Sequence, residues 1–69
     1  MTTPAERYIA LHRTRQFISN IMIDLDLPAE LREIAFRLLK HYPSSFYLDE
    51  LAEVAPQILE IPYENRTDL

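Results

Sequence analysis

The sequence predicts an all-α fold: a small helical hairpin of two longer helices followed by a short C-terminal helix, assembled as a homodimer. Three observations lead there. The 69-residue chain has no glycine, so the usual left-handed helix cap and the tight hairpin turns are missing, which disfavours β-hairpin architecture. Apolar residues recur at helical spacing, most clearly Leu31, Ile34, Ala35 and Leu38 at i, i+3, i+4 and i+7. The five prolines then take over the punctuation that glycine would normally share.

Thr3-Pro4-Ala5-Glu6 is the first helix start. Thr3 serves as N-cap, Pro4 sits at the first helical position with its φ already set, and Glu6 closes a capping box. The first helix is expected to run to about Leu25, with Tyr8, Leu11, Ile18, Met22 and Leu25 on one seam. Arg15 falls in that seam, either as an edge residue lying along the core by its methylenes or as a charge that meets a carboxylate across an interface. Phe17, Ile21 and Ile23 make the second half more apolar than a one-sided helix requires. Leu27 precedes Pro28 and is pushed out of the α region, so the first helix ends by about Asp26. Asp26 or Leu27 is expected to cap the second helix, with Pro28 in its first turn.

The second helix is expected over about Pro28 to His41, antiparallel to the first and covering it with the Leu31, Ile34, Ala35 and Leu38 stripe. Glu33 and Arg37 form an i, i+4 pair in the favourable direction, and Lys40 and His41 suit the negative end of the helix dipole. After Pro43-Ser44-Ser45, the third helix is expected to bury Leu48, Leu51, Ala52 and Ala55, with Asp49, Glu50 and Glu53 outward. Pro56 breaks the backbone ladder, yet Ile58 and Leu59 keep the phase, which predicts a kink or a fresh short turn at 56–60. The chain then reads as one helical domain over residues 1–60 and an extended polar tail over 61–69.

A domain this small buries only roughly 60% of the surface its unfolded chain exposes. Chains of this size usually need a disulfide, a metal or a partner subunit. There is no cysteine, so disulfides and thiolate sites are excluded. With 48% hydrophobic residues, the excess points to a second copy, through Leu11, Arg15, Ile18, Ile21, Met22 and Leu25. The missing cysteines fit a reducing compartment. Met1-Thr2-Thr3-Pro4 runs straight into a charged helix and gives no signal peptide. The longest apolar run, Ile21-Met22-Ile23, is too short to span a bilayer. A cytoplasmic location is therefore expected.

No catalytic, cofactor or metal constellation is expected. Without glycine there is no P-loop and no dinucleotide fingerprint. His12 and His41, the two histidines, lack metal-ligand spacing. Charge is uneven: residues 1–42 carry a net +1 and residues 43–69 a net −5. A sequence pI near 4.9 argues against phosphate binding and suits docking onto a basic protein surface. Tyr42, Phe46 and Tyr47 crowd the junction between the second and third helices, with Tyr63 within reach, a composition typical of interface hot spots. The candidate partner-binding residues are Tyr42, Phe46, Tyr47, Asp49, Glu50 and Glu53, together with Arg13 and Arg37.

Two stretches, Thr3-Pro4-Ala5-Glu6-Arg7-Tyr8-Ile9-Ala10-Leu11-His12-Arg13-Thr14-Arg15-Gln16-Phe17 and Arg37-Leu38-Leu39-Lys40-His41-Tyr42-Pro43, make the chain resemble a family of small proteins from pseudomonads, related proteobacteria and their phages. It includes phage-encoded anti-quorum-sensing proteins. The resemblance covers roughly residues 3–59. It implies a small helical homodimer that binds the DNA-binding domain of a LuxR-type quorum-sensing activator (LasR) and blocks its engagement of DNA. It also implies inhibition of the type IV pilus assembly ATPase, hence superinfection exclusion. No functional residue carries over from the family. The residues themselves leave two other readings open: a small accessory or structural module, and a nucleic-acid-binding regulator.

Overall fold

A computed structural model describes residues 2–62. Among the described residues there are three helices and no strand: α1 (Pro4–Ile23), α2 (Ala29–His41) and α3 (Ser45–Val54). The order matches the two longer helices and short third helix read from the sequence. Tyr63 and the rest of the tail to Leu69 lie outside the described residues.

The helix ends follow local chemistry. At the start of α1, the Thr3 N–H donates to Glu6 Oε1 at 2.9 Å and the Glu6 N–H donates to Thr3 Oγ1 at 3.1 Å. This is the reciprocal capping box, satisfying two N–H groups that have no partner within the helix. α1 stops at Ile23, two residues short of the expected Leu25. The Asp24 carboxylate accepts the Asp26 N–H at 3.0 Å, and the Asp24 N–H turns back to the Ile21 carbonyl at 3.3 Å. An aspartate that hydrogen-bonds two residues ahead offers the backbone an alternative to the helix. Leu25 is left 82% exposed.

The N-cap of α2 is Pro28, not Asp26 or Leu27, and it offers no side-chain bond. Its carbonyl accepts the N–H groups of Leu31 and Arg32 at 3.1 and 3.2 Å. The Arg32 guanidinium reaches back to the Leu27 carbonyl at 3.3 Å. Glu33 and Arg37 pair at 3.2 Å as expected, both largely exposed, so the pair contributes only a few tenths of a kcal/mol. Pro56 ends α3 instead of kinking it. Ala55, the residue before the proline, leaves the helical region at φ −139°, ψ 65°. A new turn follows, in which the Ala55 carbonyl accepts Ile58 and Leu59 N–H groups at 2.9 and 3.2 Å.

The chain falls into two compact units. The terminal unit takes residues 2–12 and 43–62, and the hairpin unit takes Arg13–Tyr42. In the terminal unit Tyr8, Leu48, Ala52 and Leu59 form a buried cluster, with Ile9, Leu11 and Ile61 packed against it. Leu51, expected inside, is 41% exposed, and Ala55 is half-buried. In the hairpin unit the expected internal stripe is only partly internal. Ala35 is buried, whereas Leu31, Ile34 and Leu38 are 46%, 50% and 57% exposed. They line an open apolar recess with Phe17, Ile18 and Ile21. With only two helices in this unit, the larger side chains of the stripe stay part-exposed. Among the described residues no helix is long and apolar enough to cross a membrane.

Candidate partner-binding surface

α3 is held from beneath. Leu48 and Ala52 point into the core of the terminal unit, and the Ser44 carbonyl accepts the Leu48 N–H at 3.0 Å. From α1, the Tyr8 hydroxyl donates to the Asp49 carboxylate in a short hydrogen bond. Burial first, then the Asp49 carboxylate as hydrogen-bond acceptor and as neighbouring charge, push the Tyr8 phenol up to about 12. His12 packs on the Tyr8 ring at a centroid distance of 4.4 Å. Its Nε2 lies 3.9 Å from Asp49 Oδ1 and is buried without a hydrogen bond.

Arg7 fastens the segment after α3. Its Nε donates to the Ile58 carbonyl at 2.9 Å, and its other nitrogens donate to Gln57 at 3.4 Å and to the Thr2 carbonyl and hydroxyl at 2.8 and 2.9 Å. The Glu60 N–H adds a bond to the Pro4 carbonyl at 3.2 Å. Together these contacts tie the end of the terminal unit to the start of α1. Nothing local in the sequence announces a pairing that spans some fifty residues.

The outward side of α3 carries the aromatic pair. Phe46 and Tyr47 are 66% and 62% exposed and stand edge to face, with centroids 5.4 Å apart. Such a pair adds a modest geometric preference to its apolar area. Glu50 and Glu53 are exposed beside it, and α3 contains no lysine or arginine. The Asp49 side chain, engaged by Tyr8, is still 48% exposed. Of the other candidate residues, Tyr42, Arg13 and Arg37 fall in the hairpin unit. Tyr42 is half-buried and Arg13 exposed, and Arg37 is engaged by Glu33.

Leu11 packs against the core of the terminal unit, whereas Arg15, Ile18, Ile21, Met22 and Leu25 belong to the hairpin unit. All of these except Leu25 are half-buried. Arg15 keeps a buried Nε without a hydrogen bond. Phe17 lines a second recess with Asn20, Ile21, Asp24, Leu27 and Leu31. Two exposed residues of α3, Leu51 and Val54, were not singled out from sequence as contact residues. Their spacing from Tyr47 was the available signal. Among the described residues no three histidine, cysteine, aspartate or glutamate side chains gather as metal ligands. No family model, no curated protein and no solved structure matches the chain.

Proposed function

We propose that the chain is a homodimeric protein-binding inhibitor. It docks on the DNA-binding domain of a host LuxR-type quorum-sensing activator (LasR) in the bacterial cytoplasm and blocks that domain's engagement of DNA. Binding to the type IV pilus assembly ATPase, with superinfection exclusion as its result, belongs to the same proposal. The activity is association, with no catalytic step. The observation that carries the reading is the exposed Phe46–Tyr47 pair on a helix whose charged residues, Asp49, Glu50 and Glu53, are all acidic. A domain that binds DNA must offer a basic surface, and an acidic face with aromatic anchors complements it. The same acids repel phosphate, which weighs against the chain itself reading nucleic acid. The open apolar side of the hairpin unit supports the second copy.

A mobility-shift titration tests the function. Added to a preformed complex of activator and operator DNA, the protein is expected to release free DNA, and Tyr47→Ala to release little at the same concentration while keeping its helicity. A complex that persists under a large excess of the wild-type protein refutes the proposal.

A further inference from the structure

α3 is apolar on two sides. Leu48 and Ala52 close the core of the terminal unit. On another side Tyr47, Leu51 and Val54 recur at i, i+4 and i+7 and are 62%, 41% and 74% exposed; Leu51 also lines an open recess with Ala10, Leu11, Ile58 and Leu59 at the margin of the core. Apolar side chains at that spacing make one continuous helical stripe, which ordinarily faces a core. Here the core is already served by the other side. Glu50 and Glu53 run along one edge of the outward stripe, and no basic residue lies on the helix.

We propose that α3 is a helical ligand that lays Tyr47, Leu51 and Val54 into an apolar cleft of a partner protein, with lysine or arginine side chains on the cleft rim facing Glu50 and Glu53. The inference rests on the reading of the chain as a protein-binding inhibitor and adds the binding mode. Recognition of a helix in a groove uses anchors at this spacing. The one-signed edge specifies the rim, because opposite charge favours encounter and like charge rejects wrong partners. It also argues against a second copy as the occupant. A twofold contact presents the same patch from both sides, and Glu50 flanks the stripe about midway along its length. A twofold centred there brings the two Glu50 carboxylates together, with both Glu53 carboxylates close by. The hairpin unit carries no such bar, since Glu33 and Arg37 already alternate in sign on α2.

Calorimetric titration of the intact chain with the purified activator DNA-binding domain, and separately with the pilus assembly ATPase, tests this mode. Tyr47→Ser and Val54→Ser are each expected to weaken binding roughly 10- to 30-fold. Glu50→Lys is expected to weaken it about tenfold and to flatten its salt dependence. Circular dichroism on each variant separates lost contact from lost helix, and Val54, at 74% exposure, contributes little to the core. Wild-type binding that Val54→Ser and Glu50→Lys leave unchanged overturns the helical-ligand mode while the inhibitor reading stands. Wild-type protein that binds neither partner removes the inhibitor reading and this mode with it. If Val54→Ser instead dissociates the protein's own oligomer, the stripe is a contact between copies and the inference is overturned.

Discussion

The terminal unit buries Tyr8, Leu48, Ala52 and Leu59 to 5% exposure or less, whereas the hairpin unit buries only Ala35 to that degree. Apolar content does not explain the contrast. Phe17, Ile18, Ile21, Leu31, Ile34 and Leu38 give the hairpin unit as many large apolar side chains as the terminal unit's core. What differs is the number of covering segments. The terminal unit closes α1 with α3 and with the turn after Pro56, and Arg7 fixes that turn by its carbonyls. The hairpin unit has two helices and no third layer, so its stripe remains an open recess. One unit therefore has a core of its own, and the other has half of one.

The largest expected effect separates the units directly. Leu48→Ala, at 2% exposure, should cost about 2–5 kcal/mol by lost transfer energy and the cavity left behind. Leu38→Ala, at 57% exposure, should cost the dilute protein under about 1 kcal/mol. Urea denaturation of both variants at equal concentration measures the difference. Equal losses would show that the two units are equally closed.

Arg7→Ala comes next. It removes donors to the Thr2, Gln57 and Ile58 carbonyls and should cost roughly 1.5–3 kcal/mol. Hydrogen exchange is the sharper measurement: the Glu60 amide, bonded to the Pro4 carbonyl, should lose protection while the amides of α2 keep theirs. Tyr8→Phe tests the same unit through pH. The raised phenol holds its proton in the folded chain after the unfolded chain has lost it. Stability should therefore fall as pH rises from the ordinary value of 10.0 through about 12. In Tyr8→Phe that part of the alkaline decline should vanish, as thermal melts across the window would register. Smallest is Thr3→Ala, which opens the capping box and should cost about 1 kcal/mol, read as a small drop in urea midpoint.

The sequence made the local features legible. Thr3, Pro4 and Glu6 specify a cap among neighbours, Pro28 and Pro43 bound α2, and Glu33 meets Arg37 one turn away. Each is settled within a few residues, where backbone geometry decides. The long-range features were not legible. Arg7 reaching Ile58, or Tyr8 reaching Asp49, depends on how distant segments meet, and no spacing encodes that. The stripe of α2 shows the boundary between the two. Its periodicity correctly marks a face that favours covering, but it does not say whether this chain supplies the cover. Leu51 shows the same limit: it keeps the phase of a helical stripe and sits beside Leu11 and Leu59, but it lines an open recess there and stays part-exposed. The acidic and aromatic character of the candidate surface was readable from composition. The pairing of Tyr47 with Leu51 and Val54 as one outward stripe required the exposures.

Sedimentation equilibrium of the intact chain and two lysine variants tests the division between the units most directly. Wild-type protein at micromolar concentration is expected to have about twice the 8.2 kDa chain mass. Ile34→Lys, in the open stripe of the hairpin unit, should give the single-chain mass, and Val54→Lys, on the outward face of α3, should keep the double mass. A wild-type chain that sediments at the single-chain mass with full helicity, or a Val54→Lys variant that alone loses the partner copy, would contradict the division.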